Sequence, residues 1–179
     1  MNFITRERVY RFSNECSESA LAKFLYSYFP KRVVDSILAS FEVRIDTRCC
    51  YKGYYATVLV FKSKDGKIRD VKMTLFNPDT GMIVRDGDGD ALIQHTQKQN
   101  SHVEYESWPW GDKSYSLAKE LSKGYDLKKQ PTLFGMQKIN RAKRIGVVTS
   151  AVDAVVMSII DPHCTWLATG HEGKFGVAL

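Results

Sequence analysis

Cysteine and histidine are scarce in this sequence, and their spacing excludes the common structural metal sites. Four cysteines and four histidines are scattered over 179 residues. Cys49 and Cys50 are neighbours, so they do not form the C-x-x-C knuckle that closes a zinc tetrahedron. Cys16 and Cys164 stand alone. We therefore predict four reduced thiols, no metal site and no cofactor.

Long hydrophobic runs are also lacking. The first residues, Met-Asn-Phe-Ile-Thr-Arg-Glu-Arg, become charged at once and contain no apolar core of a signal peptide. The longest apolar runs, such as residues 145–148 and 155–157, are far shorter than the roughly 20 residues that span a bilayer. Together with reduced thiols, this predicts a cytoplasmic protein that does not contact a membrane.

Common catalytic and ligand-binding motifs are missing as well. There is no Walker A lysine motif, no G-x-G-x-x-G loop and no G-x-S-x-G elbow. The acidic run that starts at Asp86 resembles the beginning of a calcium loop, which needs Gly at its sixth position and Glu at its twelfth. Ala91 and Gln97 occupy those positions. We interpret the run as a solvated acidic turn.

What the sequence does have is a modest excess of positive charge. Lys and Arg number 26 against 20 Asp and Glu, which gives a net charge of +6. Hydrophobic residues make up 44% and charged residues 26%, a balance typical of soluble globular proteins. The length allows one domain, or one domain with a small appendage. The basic excess permits phosphate or nucleic-acid partners without requiring them.

Hydrophobic periodicity near the N-terminus predicts two helices. Residues 17–29 repeat apolar side chains at helical spacing, with Ser17 as the expected N-cap. Pro30 is expected to open a second helix. Its apolar stripe is Val33, Val34, Ile37, Leu38 and Phe41. Two short helices joined at a proline make a helical hairpin.

The period then changes to that of strands. Residues 43–45, 54–61 and 68–76 are predicted strands, and Asp65-Gly66 is a strong signal for a hairpin between the last two. This pattern predicts an antiparallel β-meander of three or four strands. Residues 114–123 are a candidate helix closed by Gly124.

The C-terminal part has the pattern of a βαβ unit. Residues 144–149 form a β-branched run, residues 151–160 are helical in pattern, and residues 165–168 form a second strand. Such a unit has parallel strands and a right-handed crossover. The predicted fold class is therefore α+β. We divide the chain into residues 1–130, with the helical hairpin and antiparallel sheet, and residues 131–179, with the βαβ segment.

Two basic clusters are candidates for contact with nucleic-acid phosphates. One precedes the strand at 144–149, and the other lies around the predicted hairpin. The candidate residues are Lys138, Arg141, Lys143, Arg144, Lys62 and Lys72. A charged solvent-facing surface explains both clusters as well, because exposed hairpins carry lysines that block edge pairing.

Several short motifs occur in a characteristic order along the chain. They lie at residues 20–30, 51–60, 65–67, 75–81, 133–135, 147–148 and 166–170. In this order they resemble the primase-like Toprim proteins of bacterial mobile elements, which are distantly similar to the core of the bacterial replicative primase. The resemblance implies a helix pair, a central sheet and the first two strands of a Toprim fold.

The sequence departs from this family at the positions that carry its chemistry. In Toprim enzymes the first strand ends in a glutamate used in acid–base or metal chemistry. The matching position is Thr149, which cannot replace a carboxylate. Asp153 is retained one helical turn later. The family's Asp-x-Asp motif is expected on a later strand, and the sequence reaches Leu179 before it.

The resemblance and these departures together imply a non-catalytic, primase/Toprim-related module of a mobile element. Its expected partner is nucleic acid or a replication or mobilisation protein. One alternative is an active primase or nuclease-type phosphoryl-transfer enzyme, which would use Mg²⁺ and be completed by a partner or a further C-terminal segment. Another is a protein-binding regulator. The degenerate acidic positions favour the non-enzymatic alternatives.

Overall fold

The computed structural model describes residues 4–84, 115–116, 132–139 and 144–170. The N-terminal part contains helices α1 (Arg6–Val9), α2 (Ala20–Tyr26) and α3 (Lys31–Ser40), with a 3₁₀ turn at Cys16–Glu18 before α2. Pro30 precedes α3 directly, as predicted. Among the described residues, no helix combines the length and apolar character needed to cross a bilayer.

The helix predicted to start at Ser17 begins later. Ser17 lies in the 3₁₀ turn, and Ser19 is the N-cap of α2, where its hydroxyl accepts a hydrogen bond of 3.0 Å from the backbone N–H of Ala22. The predicted N-cap is therefore wrong. Both serines precede an apolar run. The 3₁₀ turn that contains Ser17 is closed by a hydrogen bond from the Ser19 N–H to the Cys16 carbonyl, which has no distinct sequence signature.

The predicted antiparallel sheet is confirmed. Its strands are β1 (Arg44–Tyr51), β2 (Tyr54–Lys62), β3 (Ile68–Thr74) and β4 (Tyr115–Ser116), paired in that order. Gly66 has φ +76° at the β2–β3 turn, a conformation that glycine adopts at little cost. Tyr115 and Ser116 pair with β3, so the helix predicted for residues 114–123 is wrong at these two positions.

Both faces of the antiparallel sheet are covered. Seven successive residues of β2, from Ala56 to Lys62, are buried. On one face Leu59 and Phe61 join the core that contains α2 and α3. On the other face Val58 and Val60 join a second cluster with α1 and residues of β1 and β3.

The predicted βαβ unit is confirmed. It consists of β5 (Arg144–Val148), α4 (Ala151–Ile160) and β6 (Cys164–Ala168). β5 and β6 are parallel and in register from Arg144 opposite Cys164 to Val148 opposite Ala168. Ser150 caps α4 by accepting hydrogen bonds from the backbone N–H groups of the first turn.

Phe134 connects the two sheets. Its backbone exchanges two hydrogen bonds with Ala168, at 2.8 and 3.1 Å. Its ring stacks on Phe41 with centroids 4.9 Å apart, and it tilts against Phe61 at 5.4 Å. One hydrophobic core therefore contains residues from both sides of the boundary that we placed between residues 130 and 131.

Candidate nucleic-acid interface

The βαβ unit has two ends that could meet a ligand, and the predicted site residues divide between them. In open α/β sheets, ligands commonly bind outside the carboxyl ends of the strands. At that end the backbone N–H of Thr169 donates to the carbonyl of Val148 at 3.0 Å. The Thr169 hydroxyl lies 3.5 Å from the carbonyl oxygen of Thr149.

Lys72 also reaches the carboxyl end. It projects from β3, and its Nζ lies 5.0 Å from the centroid of the Phe61 ring. A Cβ atom placed on Gly170 would come within 3.1 Å of this Nζ, so the ammonium group lies against the residue that follows Thr169.

A groove of about 450 Å³ runs beside the carboxyl end of β5, and Thr149 and Asp153 line it. Asp153 is exposed in the first turn of α4. Mg²⁺ prefers octahedral oxygen sites in which carboxylates supply the charge. The groove offers one carboxylate, and the part of the chain that the structure describes contains no group of three or more His, Cys, Asp or Glu placed to hold a metal. These residues do not fit a Toprim-type Mg²⁺ site.

The amino end of the unit carries two of the predicted basic residues. The Arg144 side chain is 80% exposed and lies 3.6 Å from the carboxylate of Asp161. Lys138 donates a hydrogen bond of 2.9 Å from Nζ to the Ser40 hydroxyl. Its Nζ also sits 3.6 Å from the centroid of the Phe41 ring, within the range of a cation–π contact.

Lys138 borders a cavity of about 330 Å³ at this end. Ser40, the last residue of α3, lines it together with Cys164, the first residue of β6. Because the carboxyl end of a helix carries partial negative charge, the Lys138 ammonium also complements the end of α3. Lys138 is thus held in place by its surroundings.

Lys62 is not displayed on the surface. Its side chain is 5% exposed and forms an ion pair with Glu42, whose φ is +54°. This pair fastens the connection between α3 and β1 to the end of β2. The burial and the ion pair suit a structural role for Lys62 better than contact with a phosphate.

The structure therefore places Lys138 and Arg144 at the same end of the βαβ unit and Lys72 at the opposite end of β6. A five-residue strand separates the ends by roughly 16 Å. Arg141 and Lys143 lie outside the described residues. Ser40 and Phe41, which position Lys138, were missed by sequence reasoning because Ser40 and Lys138 are 98 positions apart and no local pattern links them.

With the fold and these two ends defined, comparison with known proteins gives one family. The chain belongs to the family described as Domain of unknown function (DUF6371), whose model matches residues 19–178. The match begins at the N-cap of α2 and includes both sheets. No curated protein and no solved structure matches the chain.

Proposed function

We propose that this chain is a non-catalytic nucleic-acid-binding module, related to the primase-like Toprim proteins, that contacts phosphates with the amino end of its βαβ unit. The observation that carries the proposal is the placement of Lys138 and Arg144 at that end. Binding through phosphates alone is weak and has little sequence preference, since phosphate contacts carry no direct sequence information.

The surroundings of the two residues support phosphate contact. The exposed guanidinium of Arg144 has the planar donor geometry that suits phosphate oxygens. Lys138 is restrained by Ser40 and Phe41, so less side-chain entropy is lost when it meets a phosphate. The net charge of +6 adds long-range attraction to a polyanion.

The non-catalytic part of the proposal rests on the carboxyl end of β5. A Toprim enzyme has a glutamate there, and this chain has Thr149, with Asp153 as the acidic residue nearby in the groove. The alternative, a primase or nuclease completed by carboxylates from elsewhere, predicts Mg²⁺-dependent primer synthesis or strand cleavage. Assays of the purified chain with and without EDTA distinguish the two, and EDTA-sensitive activity would contradict our proposal.

The binding test is a fluorescence anisotropy titration with labelled DNA and RNA at several salt concentrations. We expect the affinity for duplex DNA to fall with salt with a logarithmic slope of about 0.9 per neutralised phosphate. The double variant Lys138→Glu/Arg144→Glu should weaken binding by at least about tenfold, because two cations become anions at the contact surface.

Two controls accompany this variant. Lys23→Glu/Arg32→Glu makes the same change in net charge at exposed positions of α2 and the beginning of α3, away from Lys138. Lys62→Met removes a buried ammonium. Both should keep most of the affinity. No binding by the unmodified chain, or equal losses in all three variants, would contradict the proposed surface and favour a protein partner.

A further inference from the structure

The outer edge of β5 has hydrogen-bonding groups directed away from its sheet. Within the described residues β6 is the only strand paired with β5. The carbonyl of Val148 accepts from Thr169 in this pairing, and successive residues of a strand direct their backbone groups to opposite edges. Ile145 and Val147 therefore direct their N–H and C=O groups to the outer edge.

An apolar surface lies next to this edge. Val147 lines the groove beside β5 together with Val156 and Met157 of α4. Ile145 of β5 and Ile160 at the end of α4 are 51% and 60% exposed. Sheet edges are usually protected by charge, proline or coverage, and contiguous exposed apolar residues mark interaction surfaces.

The edge is complementary to a second copy of itself. If two β5 strands pair antiparallel about a two-fold axis at Gly146, Ile145 of each copy lies opposite Val147 of the other. The backbone groups of Ile145 and Val147 point outward, so each of the two Ile145–Val147 pairs exchanges two N–H···O=C bonds, which makes four hydrogen bonds in all. The central position, where strands approach most closely, is occupied by glycine, and the paired side chains are apolar on both sides.

Charge complements the same arrangement. Arg144 begins β5, and its side chain is 80% exposed although it lies 3.6 Å from Asp161. Asp153 is exposed beyond the other end of the strand, where it lines the groove. The two-fold axis reverses the direction of the second strand. Arg144 of one copy therefore comes to the end of the groove that contains Asp153 of the other, and the contact occurs twice.

We propose that β5 is a dimerisation edge on which a second copy of this chain docks antiparallel, joining two parallel pairs into one four-stranded sheet with the two α4 helices side by side. Isologous contacts of this kind give closed two-fold dimers. The inference does not depend on nucleic-acid binding and is tested in its absence.

The experiment is sedimentation velocity of the full chain over a hundredfold range of concentration. We expect a concentration-dependent monomer–dimer equilibrium. Ile160→Lys should weaken the dimer at least tenfold. Val33→Lys, which also places a lysine at an exposed β-branched residue, here in α3 and 40% exposed, should leave the dimer unchanged. Ile145→Pro should also weaken it, because it removes an outward N–H and leaves the bonds to β6 in place.

A charge exchange provides the sharpest test. Arg144→Glu and Asp153→Arg should each weaken the dimer, and the double variant should restore it, since the pair then attracts again with reversed signs. Circular dichroism confirms that each variant is folded. A chain that stays monomeric at every concentration would overturn the proposal and leave the edge to a strand from another protein. Dimers insensitive to Ile160→Lys and to the charge exchange would overturn it too.

Discussion

β2 and β5 are both strands rich in β-branched residues, yet their surroundings differ completely. Seven successive residues of β2 are buried, whereas each of the five residues of β5 retains some exposure. β2 has strands on both sides and hydrophobic clusters on both faces. β5 pairs with β6 in the described structure and is partly covered by α4.

This difference indicates a division of roles: the antiparallel sheet contributes residues to both hydrophobic clusters, and the parallel pair contributes surfaces that can bind a partner. The antiparallel sheet has a hydrophobic cluster on each face, and its first three strands lie within residues 44–74. The parallel pair packs on the N-terminal part through Phe134, which contacts Phe41 and Phe61, and through α4, which packs on α3. It presents a basic end, a groove and an edge of β5 with which no other described strand pairs. Both of our proposals therefore concern the parallel pair.

The largest expected effect comes from removing the residue that joins the two regions. Phe134 is fully buried between Phe41 and Phe61, so Phe134→Ala should lower the free energy of unfolding by about 3–5 kcal/mol. Urea denaturation measures the loss. Tyr28→Ala, at an aromatic residue that is largely exposed, should cost under about 1 kcal/mol. Similar costs for both variants would mean that Phe134 does not join the regions.

A smaller effect is expected within the parallel pair. A Cβ atom on Gly146 would lie 2.4 Å from the Trp166 ring, whose Nε1 donates to the carbonyl of Asp161 at 3.2 Å and so limits its movement. Gly146→Ala should therefore cost about 1–3 kcal/mol. In a Trp166→Leu background the same change should cost much less, as a double-mutant cycle of denaturation midpoints would reveal. An equal cost in both backgrounds would place the strain elsewhere.

The smallest expected effect concerns the antiparallel sheet, where the buried Cys49 of β1 makes stability depend on pH. Burial, followed by the nearby Asp46 carboxylate, raises the pKa of the Cys49 thiol from 9.0 to about 12. Above pH 9 the unfolded chain loses this proton while the folded protein must keep it, so the contribution of Cys49 to stability is complete below pH 9 and declines as the pH rises towards 12.

The stability advantage of the unmodified chain over Cys49→Ala should shrink by about 1 kcal/mol between pH 7 and pH 10. Cys50→Ala, at the adjacent, partly buried cysteine, is the control. Chemical denaturation at the two pH values measures both differences. A constant difference for Cys49→Ala would show that the thiol ionises as readily in the folded chain as in the unfolded one.

Elements with local determinants were predictable from the sequence. Asp65-Gly66 specifies its hairpin because few residues tolerate the turn's positive φ, and Gly66 indeed has φ +76°. The order of strand, helix and strand after residue 144 was enough to predict parallel pairing. Ser150, the residue before α4, is of a type that commonly caps helices, and it caps this one.

Features that depend on distant partners were not predictable. β4 has two residues, Tyr115 and Ser116, and it is a strand because these residues pair with β3, which no local sequence pattern indicates. Lys62 is indistinguishable in sequence from its exposed neighbours, and its burial follows from Glu42, 20 positions earlier. The same holds for Lys138 at the basic end, since its position depends on Ser40 and Phe41 at the end of α3.

The contact between Lys138 and Ser40 also has a kinetic consequence. Closing a loop of 98 residues costs roughly 4 kcal/mol of chain entropy before the contacts it permits are made. A ribosome adding roughly 5–20 residues per second needs about 5–20 s to synthesise that stretch. During that time Phe134 has not been synthesised, so the ring of Phe41 has no stacking partner although we expect α3 and the β2–β3 hairpin to have formed. The nascent chain therefore exposes a hydrophobic face that a chaperone would recognise.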